Sequence, residues 1–132
     1  MKYLLDTDTC VAALRGHAGV QARLRAVAPD ECGVSLVSVF ELFSGVERCR
    51  RPEEEGCKVA VFLAPIHLLP FDYLAAQRAA TVRWHLEKSG QPIGPYDLQI
   101  AGQALSLEVI LITSNTHEFV RVPGLQVEDW AD

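Results

Sequence analysis

The sequence predicts an α/β protein in which a central, mostly parallel sheet of about five strands is covered by helices on both faces. Three observations carry this. Short apolar runs alternate with longer helical patterns along the whole chain. The run Val109-Ile110-Leu111-Ile112-Thr113 is continuous and β-branched, as a central parallel strand should be. Polar residues, Asp6 and Ser114, follow directly on the ends of two such runs.

Taken in order, Lys2 to Leu5 is expected as the first strand, and Thr9 starts a helical turn that Gly16 stops. A helix from about Ala18 to Ala28 follows, with Val20, Leu24 and Val27 on one face. Cys32 to Ser35 is the second strand. Ser38-Val39-Phe40-Glu41 has the spacing of a capping box and so predicts a helix opened by Ser38. Pro52 with Glu53, Glu54 and Glu55 begins another helix, negative at its amino end as the macrodipole favours. Ile66 to Pro70 is the third strand, after which Asp72 caps a long helix running to Ser89 and ended by Gly90. Pro92, Gly94 and Pro95 make Gln91 to Tyr96 a shaped loop. Asp97 then starts the helix Leu98 to Leu107, whose Ala101, Gly102 and Ala104 suit close packing. Val109 to Thr113 and a last strand near Leu125 to Glu128 complete the sheet.

The 132 residues suffice for one domain with a single core, and no linker, repeat or low-complexity segment divides them. The apolar start is interrupted at Asp6, so no signal peptide is expected. No apolar stretch approaches the roughly 18 residues of a membrane span. Cys10, Cys32, Cys49 and Cys57 lack CxxC spacing and are expected as free, buried thiols, which with the absent leader implies a cytoplasmic protein. A net charge of −5 argues against a protein that coats nucleic acid through its overall field. It leaves room for a nuclease, whose acidic groups are neutralised locally by metal.

Asp6, Glu41, Asp97 and the polar segment Ser114-Asn115-Thr116-His117-Glu118 stand far apart in sequence. In an open α/β sheet, the carboxyl ends of strands and the helices that follow them converge on one crevice. Each acid also has a local reading: Asp6 as a turn residue, Glu41 as the partner in its capping box, Asp97 as an N-cap. Two carboxylates about 4 Å apart repel by roughly 4 kcal/mol at the effective dielectric of proteins, whereas a cap contributes only about 1 kcal/mol. A cluster therefore needs either a proton or a divalent ion, and oxygen-only ligands select Mg²⁺ or Mn²⁺.

Leu4-Leu5-Asp6-Thr7, Glu41-Leu42 with Gly45, Pro92-Ile93-Gly94-Pro95-Tyr96-Asp97 with Ile100-Ala101, and Thr113-Ser114-Asn115-Thr116-His117-Glu118-Phe119 before Val122-Pro123-Gly124-Leu125 resemble, in order, the motifs of PIN-domain ribonucleases. The similarity is closest to VapC-type toxins and runs from Leu4 to Trp130. It implies a PIN-like three-layer fold and a Mg²⁺- or Mn²⁺-dependent endoribonuclease. It also implies a homodimer, a cognate VapB-like antitoxin that holds the enzyme inactive, and an RNA substrate, with transfer RNA preferred. By position Asp6, Glu41 and Asp97 match the family's metal-binding acids. Two departures stand out: Asp8 where asparagine is common, and Asn115 where many members have a fourth aspartate. The fourth position is open between Asn115 and Glu118, with Asp8 and Ser114 as possible support. Arg83 resembles an arginine common in these toxins and is a candidate phosphate contact, or else a surface partner of Glu87 one turn away.

Two competing readings follow from the same residues. Asp6-Thr7-Asp8 with Ile112-Thr113-Ser114-Asn115 is similar to the first motifs of haloacid-dehalogenase-like phosphatases, although no lysine follows Lys88 as that chemistry needs. A PIN-fold binding module that has lost its chemistry is the other. Histidine spacing, nucleophile elbows and phosphate-binding glycine loops support no further catalytic class. Phe40, Leu42, Phe43, Val59, Val61, Phe62 and Leu63 exceed a single core-facing stripe, which suits a groove for a partner's helix, ordinary burial or a homodimer contact.

Overall fold

A computed structural model describes residues 1–132. Five short strands, β1 (Tyr3–Leu5), β2 (Cys32–Ser35), β3 (His67–Leu69), β4 (Ile110–Ile112) and β5 (Val127–Glu128), form one sheet in the order β3-β2-β1-β4-β5. Every pairing is parallel. The chain winds outward from β1 through β2 to β3, then crosses back to place β4 on the other side of β1. The connections that leave the neighbouring strands β1 and β4 thereby run to opposite sides, and a crevice opens beyond their carboxyl ends.

Seven helices cover the sheet: α1 (Thr7–Leu14), α2 (Ala18–Ala26), α3 (Leu36–Arg48), α4 (Pro52–Leu63), α5 (Tyr73–Lys88), α6 (Pro95–Leu107) and α7 (Thr116–Phe119). Side chains alternate across each strand, so Leu5 and Ile112 join Val34, Leu42, Val59 and Trp130 in one core, with α1 to α4. Leu4 and Leu111 face the other way, onto Val82, Ile100, Ala104 and Phe119 of α5, α6 and α7. This is the expected three-layer arrangement. No helix is long and apolar enough to cross a membrane.

The differences from expectation lie at helix starts. Helix α1 begins at Thr7, two residues early, because Asp6 is its N-cap and accepts from the Thr9 amide at 2.8 Å. Helix α3 is capped by Ser35, whose extended backbone (φ −65°, ψ 144°) and hydroxyl bond to the Val37 amide stop the strand and open the helix together. Ser38 is therefore inside the helix, and Glu41 is not its capping-box partner. Helix α6 begins at Pro95, with Gly94 as cap. Proline at the first helical position loses nothing, since its missing amide has no helical partner there. Asp97 is thus in the first turn and caps nothing. A 3₁₀ turn at Pro29–Glu31 and the short α7 were not anticipated. All four cysteines are free, but only Cys10 and Cys32 are buried; Cys49 is half-buried and Cys57 exposed.

Close packing of α5 on α6 sets where Asp97 lies. A Cβ added at Gly102 would stand 2.5 Å from the Ala79 amide nitrogen, so glycine is what lets the two backbones approach.

Candidate active site

Asp6 ends β1 on the crevice. Its amide donates to the Ile112 carbonyl at 3.0 Å, which continues the β1–β4 ladder, and its carboxyl is almost wholly buried. Burial pushes that carboxyl above the usual range, against the Thr113 hydroxyl and the Thr9 amide and hydroxyl, which favour the charged form; the charge of Asp8 adds to the rise. Asp97, half-buried in the first turn of α6, sits where a helix amino end favours an anion. Burial nonetheless wins, joined by the charges of Glu118, Asp6, Glu41 and Asp8 in that order, and its pKa is pushed up to about 6. Glu118, Asp6, Glu41 and Asp8 are thus all near enough for Asp97 to feel their charge.

Glu41 reaches the crevice from the second turn of α3. Its Oε1 accepts from the Thr7 hydroxyl at 2.6 Å, within the range of a charge-assisted hydrogen bond. At the opposite wall the Asn115 side-chain amide donates to Glu118 Oε2, while the Asn115 backbone amide donates to the Thr113 hydroxyl at 3.0 Å. Glu118 is the strongest charged neighbour of Asp97. Asp8 is exposed and acts on Asp97 least of the four; Ser114 is exposed at the rim. None of these acids takes part in an ion pair; the ion pairs of the protein lie elsewhere.

The donors are oxygens only, which fits a hard divalent ion. No three Asp, Glu, His or Cys side chains draw together closely enough to enclose one. Mg²⁺ keeps several waters rather than requiring a closed protein cage. The residues fit an open site.

A cavity of about 780 Å³ adjoins Glu41 and is also lined by Arg15, Arg50 and Arg51, with Leu42, Val46 and Val59. Arg83 is not among the acids. It pairs with Glu87 at 3.3 Å and lines a separate groove of about 440 Å³ against Pro92, Ile93 and Pro95 of the loop leading to Asp97. Phe40 and Tyr96, the residues just before Glu41 and Asp97, meet edge to face at 5.6 Å and remain exposed.

Sequence reasoning missed Thr7, Thr113 and the true place of Ser38. The signal for the first two was adjacency to strand ends that also carry Asp6 and Asn115. Ser38 was disguised by a spacing that matches a capping box.

The sequence and the fold both match known proteins. A family model for the PIN domain matches residues 3–125. The tRNA(fMet)-specific endonuclease VapC of Shigella flexneri is 36% identical over 132 residues, covering 99% of both chains. Its counterpart in Salmonella typhimurium is 34% identical over 131 residues, 98% of each. Among solved structures, DNA-bound VapBC from Salmonella typhimurium has a chain that superposes with a TM-score of 0.94 at 33% identity, covering 98% of both chains. This similarity displaces the phosphatase alternative: the chain belongs to the PIN-domain family and, within it, to the VapC endoribonucleases.

Proposed function

We propose that this chain is a divalent-metal-dependent endoribonuclease that cuts transfer RNA, works as a toxin and is silenced by a cognate antitoxin. The observation that carries the chemistry is the group of unpaired acids around Asp97, whose pKa is pushed up to about 6 by burial and by its four acidic neighbours. Transfer RNA is the proposed substrate because the relatives named above are tRNA(fMet)-specific.

Asp6 and Asp97 hold the metal, with Glu41 as the third acid. Bound Mg²⁺ or Mn²⁺ supplies the positive charge that offsets the carboxylates and draws the scissile phosphate in. Glu41 Oε1 is tied to Thr7, which leaves Oε2 free of protein partners to take the proton of the attacking water. Glu118 fills the fourth acidic position, and Asn115 orients it through the side-chain amide. Arg15, Arg50 and Arg51, on the cavity beside Glu41, neutralise flanking phosphates. The exposed rings of Phe40 and Tyr96 offer apolar faces to unstacked bases. A VapB-like partner segment lying in the 780 Å³ cavity covers Glu41 and shuts the site; the chain works as a homodimer.

Purified protein incubated with total RNA and Mn²⁺ is expected to generate new 5′ ends in transfer RNA, and chelator to abolish them. Asp6→Asn and Asp97→Asn are each expected to lose cleavage while keeping a cooperative thermal transition. Retained cleavage in both variants overturns the proposal. Absence of both cleavage and Mn²⁺ binding in the parent protein indicates a binding module that has lost its chemistry. Coexpression with the adjacent gene's product is expected to restore growth that the parent chain alone arrests.

A further inference from the structure

Ser38 is the third residue of α3 and is fully buried. A serine hydroxyl within a helix can return its proton to a backbone carbonyl about one turn back. Here its hydroxyl instead lies 2.9 Å from the Thr7 hydroxyl on α1, and Thr7 lies 2.6 Å from Glu41 Oε1. Proton counting fixes the direction. A carboxylate has no proton to give and Thr7 has one, so Thr7 donates to Glu41, and Ser38 donates to Thr7. Two hydroxyls from different helices thus form a one-way chain that ends on an acid.

The chain has a physical consequence for Glu41. This side chain reaches the crevice from a helix surface with three rotatable bonds, among acids that repel it. A hydrogen bond from a half-buried hydroxyl, itself held by a fully buried one, selects one carboxylate orientation at no charge cost. Thr7 follows Asp6 directly, so the group that fixes Glu41 is on the same first turn as the acid that Glu41 must cooperate with.

We propose that Thr7, backed by Ser38, is a positioning residue that sets the carboxylate of Glu41 for metal binding and proton abstraction. The proposal rests on the nuclease reading of Glu41. A plain α1–α3 clamp is the competing role, and it predicts lower stability with unaltered chemistry.

The test compares Thr7→Val, Thr7→Ser, Ser38→Ala and Glu41→Gln in the full chain. The readouts are Mn²⁺ affinity from the electron paramagnetic resonance signal of free Mn²⁺, kcat and KM on transfer RNA, and thermal melting. Thr7→Val, which keeps the shape and removes the hydroxyl, is expected to lower Mn²⁺ affinity and kcat by about 10–100-fold with KM unchanged. Thr7→Ser restores most of both, and Ser38→Ala gives a smaller loss in the same direction. In a Glu41→Gln background, Thr7→Val is expected to leave Mn²⁺ affinity where Glu41→Gln alone puts it, because Thr7 acts only through Glu41. Unchanged affinity and kcat in Thr7→Val, equal damage in Thr7→Ser, or additive losses in the double variant overturn the inference. If Thr7→Val does not fold, Ser38→Ala decides by the same readouts. Intact cleavage and metal binding in Glu41→Gln would instead refute the reading of Glu41 itself.

Discussion

Asp97 concentrates the electrostatics of the protein in one carboxyl. Burial and four acidic neighbours raise its folded pKa to about 6, from an ordinary value of 3.8. Between those values the folded state binds more protons than the unfolded one, so stability falls as pH rises through the window. The metal-free protein is therefore expected to melt at a higher temperature at pH 5 than at pH 7. Asp97→Asn should flatten that dependence, and Mn²⁺ should raise the melting temperature at pH 7 in the parent but not in this variant. Calorimetric scans with chelator or metal check all three. At this scale the acids stand out in the sequence because carboxylates at segment boundaries, Asp6 after β1 and Asp97 at the start of α6, are unusual together. Thr7 does not, since a threonine at a helix start has many uses and its partner lies 34 residues away. Ser38 was misread because Ser35 and Ser38 both stand near the helix start, and only the strand's end decides which one caps.

Helix α6 shows how a packing detail reaches the chemistry. Gly102 admits α5 to within a distance that a methyl group would close, and the same helix carries Asp97 in its first turn. Gly102→Ala is expected to cost about 1–3 kcal/mol through overpacking, measured by urea denaturation. Because the backbones rather than flexible side chains collide, the helix must shift, and RNA cleavage should drop beyond what the lost stability explains. Helix existence and order were readable from apolar periodicity and from the Gly and Pro that end segments. Starts were less so, because a strand's last residue doubles as a cap in β2–α3, and a proline at the first position lengthens α6 toward its loop. Helix α7, four residues long, is too short to leave any periodic trace.

At the scale of the molecule, the alternation of elements gave the layers and the parallel sheet, while the strand order depended on the crossing from β3 back to β4, which no local pattern encodes. The carboxyl-terminal segment then closes the structure on its beginning. Trp130 is buried, meets Tyr3 edge to face at 5.1 Å and donates its indole N–H to Glu128 Oε1 at 2.9 Å, while Arg23 pairs with the same carboxylate at 2.6 Å. Trp130→Ala is expected to cost about 3–5 kcal/mol by urea denaturation, with cleavage retained at low temperature because the crevice is on other elements. The crossing has its own biological corollary. During synthesis Asp6 and Glu41 leave the ribosome well before Asp97, and β4, which must insert beside β1, comes later still. A chain released before β4 lacks the strand that inserts beside β1, so the crevice is completed only once the whole sequence is free to fold.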